Sequence, residues 1–120
     1  MNENIKTEEI DGVLILSPSG KLTLREGTDL REKVRGMANT KVVVDMSLVL
    51  RIDSAGLGTM LQLLKDVEAA GGVLKLCAMT RIVLNVFQLT RLHHIFDIYN
   101  STGEALQAFG QPSPRKLPLD

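Results

Sequence analysis

The stretch Val42-Val43-Val44-Asp45-Met46-Ser47-Leu48-Val49-Leu50-Arg51-Ile52-Asp53-Ser54-Ala55-Gly56-Leu57-Gly58, continued by a leucine-rich run to Leu64, decides how this chain is read. Consecutive β-branched residues at 42–44 mark a strand buried on both faces, ending at Asp45-Met46. Ser47 to Arg51 reads as a short loop. A helix is then predicted from near Ser54 to about Ala70, with Leu57, Leu61 and Leu64 on one stripe and Gly71-Gly72 as its stop. Asp53 and Ser54 fall at the start of that helix, where side-chain oxygens accept the unpaired amides of the first turn. Taken alone, that pattern is a helix cap. Gly56 and Gly58 ask for more, because glycine inside a helix costs about 0.8–1.0 kcal/mol relative to alanine. Two of them in a first turn point to a place that another backbone, or a partner protein, approaches closely.

Outward from this stretch, strands and helices alternate. Residues 5–10 are a polar strand candidate, Asp11-Gly12 is a hairpin turn signal, and Val13-Leu14-Ile15-Leu16 is a strand. Pro18-Ser19-Gly20 is expected to break it, with a short extended Lys21-Leu22-Thr23 after the break. A helix is predicted over 25–38, with Leu30, Val34 and Met37 on its inner face. Beyond the central helix come a strand at 73–78, a helix at 80–92, a strand at 95–99 and a last helix to about Phe109. Ser101 and Glu104 form the capping box of that last helix. The expected fold is α/β: a mostly parallel, mixed sheet of about four to five strands covered by about four helices. One domain is expected over 1–110. Residues 111–120 hold three of the four prolines and read as a flexible tail.

Composition narrows the function classes. The chain has 120 residues, and its 14 Lys and Arg balance 14 Asp and Glu. That leaves no global attraction to nucleic-acid backbones or anionic lipid, and 3% aromatic content gives no stacking platform for single strands. No nucleic-acid partner and no direct membrane insertion are expected. A polar N-terminus without an apolar run argues against a secretory leader, and the single Cys77 suits a reducing compartment, so a cytoplasmic location is expected.

Catalytic signatures fail one by one. A Gly-x-Ser-x-Gly elbow would need glycine where Ile52 stands, and the only histidines, His93 and His94, sit beside a late apolar strand. No phosphate-binding Gly-x-x-x-x-Gly-Lys-Ser/Thr loop is present. Asp45 and Asp53 are the sole candidates for a magnesium site, and Asp45 reads better as the tie between loop 47–53 and its strand. Cys77 reads as a small buried hydrophobe. The expectation is a binding module, not an enzyme, with no cofactor and no metal. A small enzyme or nucleotide-binding protein is the alternative of another class.

The run Val44-Asp45-Met46-Ser47 through Ile52-Asp53-Ser54-Ala55-Gly56-Leu57-Gly58 resembles the signature of STAS domains, specifically bacterial anti-sigma factor antagonists. The likeness spans about residues 5–109. It includes Gly20-Lys21-Leu22, Gly71-Gly72, Leu74-Lys75-Leu76-Cys77 and Phe87-Gln88-Leu89-Thr90-Arg91-Leu92. The resemblance implies binding to an anti-sigma factor with serine kinase activity, which phosphorylates the serine after the aspartate, here Ser54, and so releases itself. It also implies a serine/threonine phosphatase that restores binding. Many members carry an acidic residue where this chain has Thr23. The partner-binding residues implied are Lys21, Thr23, Asp53, Ser54, Ala55, Gly56, Leu57 and Met60, the last with core filling as its equal alternative. A non-switching STAS scaffold subunit of a lipid transporter or signalling assembly is the alternative within the family.

Overall fold

The computed structural model describes residues 5–36 and 41–109. The chain opens with β1 (Ile5–Ile10) and β2 (Val13–Leu22), an antiparallel hairpin closed by Asp11 and Gly12, both at positive φ. Two successive positive φ values give the turn whose twist suits paired strands. Then follow α1 (Leu24–Val34), β3 (Lys41–Asp45), β4 (Leu48–Ile52), α2 (Ser54–Ala69), β5 (Val73–Cys77), α3 (Arg81–Leu89), a single 3₁₀ turn at Leu92–His94, β6 (Asp97–Tyr99) and α4 (Thr102–Gln107). The sheet order is β1-β2-β3-β5-β6, and β4 pairs with β2 off that path. Every pairing except β1 with β2 is parallel.

The expected α/β architecture stands, with two corrections around β2. Pro18-Ser19-Gly20 does not break the strand. β2 is ten residues long because it serves two partners in turn: Leu14–Leu16 pair with β3, and Ser19–Leu22 pair with β4. Pro18, which has no amide to donate, lies in the gap between those two ladders. The second correction follows from the first. Residues 48–52, expected as loop, are β4, which carries on in the direction of β3 after the turn at Met46-Ser47. The Asp45 carboxylate accepts the Ser47 amide at 3.0 Å and closes that turn.

Boundaries moved for local reasons. α1 ends at Val34, with Arg35 extended and Gly36 at φ +80°, so the helix stops before residue 36; positions 37 and 38 of the expected helix, with Met37, lie outside the described residues. The tail at 111–120 also lies outside them. α3 stops at Leu89 because Arg91 takes a left-handed conformation, and β6 begins only at Asp97. Ser101 caps α4 as expected, accepting the Glu104 amide at 3.1 Å, but the Glu104 carboxylate takes the amide of Asn100 instead of that of Ser101.

The sheet has two unequal cores. Leu16, Leu22, Val44 and Leu76 pack with Leu30, Met60, Leu63, Val67 and Phe87 in a large cluster. The opposite residues Val13, Ile15, Val43 and Cys77 pack with Ala105 in a small one. Val42, Val43 and Val44 have no exposed surface, as a strand buried on both faces requires. Beside the small core, Lys75 on β5 is 2% exposed, and its ammonium lies 3.4 Å from Asp97 and donates to the Tyr99 hydroxyl at 3.1 Å. The rings of Tyr99 and Phe109 each stand 5.1 Å from that ammonium.

Candidate functional site

The start of α2 is built from the end of β4. Asp53 stays extended, and its carboxylate accepts the Gly56 amide at 2.7 Å, so Asp53 is the cap and Ser54 the first helical residue. With Gly56 bonded to Asp53, the amides of Ser54 and Ala55 are the open donors of the first turn. The Ser54 side chain is exposed and makes no hydrogen bond among the described residues. Its hydroxyl therefore does nothing for the fold. That separates it from the helix-cap reading, because the capping work falls to its neighbour.

α1 begins alongside. Thr23, half-buried, caps it: its amide donates to the Glu26 carboxylate at 2.9 Å, and its hydroxyl donates to the same oxygen. The Thr23 hydroxyl holds the Glu26 carboxyl below its ordinary range. Leu22, between the two starts, offers its carbonyl to the Asp53 amide at 3.4 Å. Lys21 and Arg51 are register partners just below, both exposed.

The glycines divide. A Cβ on Gly56 would lie 2.1 Å from the Leu22 carbonyl oxygen, so the close approach there is the chain's own backbone. Gly58 is exposed and has open space around it. Leu57 and Met60 point into the large core, at 9% and 0% exposure. Gly56, Leu57 and Met60 thus seat the helix on the sheet, and these three of the expected partner-binding residues are buried, Met60 in the core-filling role that was its alternative. Lys21, Thr23, Asp53, Ser54 and Ala55 do share one end of the molecule.

The chemistry elsewhere is accounted for locally. The Asp45 and Asp53 carboxylates are taken by the turn and the cap. Cys77 is fully buried, 3.5 Å from the Thr102 hydroxyl, and burial pushes its thiol above the ordinary range. His93 has a ring nitrogen 3.3 Å from the Phe87 carbonyl, and neither histidine bonds Ser54. Among the described residues no helix is long and apolar enough to cross a membrane. Sequence reasoning missed the buried Lys75–Asp97 pair and the role of Glu26. The second was readable as a Thr-x-x-Glu capping box at 23–26.

A single mixed sheet with its helices on two faces, and an exposed hydroxyl at the head of a crossover helix, defines a class: small α/β domains that present an exposed helix start. The chain belongs to the STAS domain family, whose model matches residues 4–105. It is 30% identical over 111 residues to BtrV of Bordetella bronchiseptica, provisionally named an anti-sigma factor antagonist, covering 90% of this chain and 96% of that protein. It is 29% identical over 100 residues to the anti-sigma-B factor antagonist of Bacillus subtilis, covering 82% and 92%. Among solved structures it resembles an antagonist of the same provisional name from Thermotoga maritima, with a TM-score of 0.80, 27% identity, and coverage of 92% and 97%.

Proposed function

We propose that this chain is a cytoplasmic anti-sigma factor antagonist without catalytic activity of its own. It binds an anti-sigma factor with serine kinase activity, is released when Ser54 is phosphorylated, and is restored by a serine/threonine phosphatase. The observation that supports this most is the state of Ser54: exposed, unbonded, and first in a helix whose cap is supplied by Asp53. The names of the relatives support the general role.

The physics suits a switch. A phosphate carrying about −1.5 to −2 charges is tolerated at a helix start, where open amides and the dipole favour anions by about 0.3–1 kcal/mol. Asp53 beside it opposes part of that gain. Against a partner surface the same phosphate loses its water, and an uncompensated charge costs several kcal/mol. Release by about a hundredfold corresponds to about 2.7 kcal/mol. The test is incubation with a purified kinase-type anti-sigma factor from the same cell and ATP, then mass spectrometry of the 52–65 peptide. Phosphate on Ser54, weak binding by Ser54→Asp and intact binding by Ser54→Ala are expected. Phosphate elsewhere, or tight binding by Ser54→Asp, refutes the switch and favours the scaffold reading.

A further inference from the structure

The end of the molecule that carries Ser54 has an uneven use of charge. The two carboxylates beside the helix starts keep their charge but are held by the chain's own amides, Asp53 by Gly56 and Glu26 by Thr23. Two of the cations are not: Lys21 and Arg51 are exposed and form no ion pair or hydrogen bond among the described residues, whereas the charge of Arg25 already acts on Glu26. Lys21 and Arg51 stand opposite each other in the β2–β4 register. Like charges facing each other across neighbouring strands destabilise a sheet. The fold thus gains nothing from this pair and is better off without it. Close to them in the chain stand two leucines the core does not use, Leu24 at 59% and Leu50 at 65% exposure; Leu50 is displaced by the register shift opposite Gly20/Lys21.

We infer that this end docks a protein surface bearing acidic side chains around an apolar contact, and that the phosphate on Ser54 acts by cancelling the cations that attract it. The inference rests on the proposed partner switch and specifies its chemistry. A phosphate of about −1.5 to −2 offsets most or all of the charge on Lys21 and Arg51. It does so where an acidic partner would approach, so attraction is weakened and phosphate–carboxylate repulsion is added. No movement of the domain is needed. The acidic complement also accounts for cations kept side by side at a cost to the sheet.

The test uses the full chain and the purified kinase-type anti-sigma factor, titrated by calorimetry at about 50 and about 300 mM salt, where screening lengths differ by more than twofold. Unmodified chain is expected to bind at least about fivefold more weakly at the higher salt. Lys21→Glu/Arg51→Glu, and the milder Lys21→Gln/Arg51→Gln, are expected to weaken binding about tenfold or more and to flatten the salt response. Arg51→Glu alone should weaken binding yet unfold at a higher temperature than wild type, which a merely structural role would not produce. Unchanged affinity in both double variants, or binding indifferent to salt, overturns the inference. If Ser54→Asp still releases the partner in that case, the switch survives and only its electrostatic account falls. If the double variants weaken binding and Ser54→Asp does not, the acidic partner stands and the switch falls. Binding of the unmodified chain to phosphatidylserine vesicles at about 150 mM salt, lost in the double variants, would assign the patch to a membrane and overturn a protein partner.

Discussion

Replacing Gly56 by alanine should damage the fold before it reaches any partner. The added methyl would sit 2.1 Å from the Leu22 carbonyl oxygen and 2.9 Å from its carbon, both backbone atoms at the end of β2. Ordinary contact begins near 3.4 Å, so the helix start must retreat by more than an ångström. That retreat stretches the Asp53-to-Leu22 hydrogen bond, already 3.4 Å, and lifts Leu57 and Met60 from the core. Overpacking of this kind costs about 1–3 kcal/mol, and disturbing two core side chains adds to it. Alanine's helix preference returns about 1 kcal/mol. A net loss of about 2–3 kcal/mol is expected, or roughly 8–12 °C in Tm for a domain of this size. Thermal and urea unfolding measure it directly, with Gly58→Ala as the matched control. Gly58 faces open space, so the same substitution two residues on should stabilise by up to about 1 kcal/mol. A Gly56→Ala protein within about 0.5 kcal/mol of wild type, or a destabilised Gly58→Ala protein, would refute the reasoning.

Gly27 and Thr59 mark where α1 and α2 cross, since a Cβ on Gly27 would fall 1.5 Å from the Thr59 hydroxyl oxygen. Gly27→Ala is expected to cost about 2 kcal/mol or more in urea unfolding, and Thr59→Gly in the same chain should recover part of it; strict additivity would argue against the contact. Asp97→Leu, which leaves the Lys75 ammonium buried without its carboxylate, should cost about 3–5 kcal/mol, whereas Lys75→Met/Asp97→Leu should cost clearly less than that single variant. The Thr23 hydroxyl holds the folded-state carboxyl of Glu26 below its ordinary value. Its contribution is thus fully present above that value and is lost as pH falls through the lower folded one. Glu26→Gln should therefore be less stable near neutrality and lose less of its stability on acidification, which urea titrations across that range will show.

The parts of the fold that were readable are those where one local signal sufficed. Val42-Val43-Val44 can only be a doubly buried strand, and the leucine stripe closed by Gly71-Gly72 can only be the central helix. What escaped depended on a partner distant in sequence. Pro18 and Gly20 look like punctuation, yet they mark where β2 exchanges one neighbour for another. The extra residue at Leu50 spoils the alternation that would have betrayed β4. Lys75 reads as a solvent-facing residue until Asp97, twenty-two positions on, is placed beside it. At the site, the exposed start at Ser54 was legible from the Asp-Ser pair. The reason for Gly56 was not, because the atom it makes room for belongs to a strand folded more than thirty residues earlier.

The small core behind the sheet has a kinetic consequence. One six-residue helix, α4, seals it through Ala105, and beneath that seal lies Cys77, the chain's lone thiol. A few apolar contacts hold α4, while the helices opposite share a far larger cluster, so α4 is expected to open before those helices do. Each such excursion bares a thiol that is otherwise sealed away from reagents. The rate at which Cys77 reacts is thus a stopwatch for the latch alone, readable while the rest of the domain, Ser54 included, stays folded.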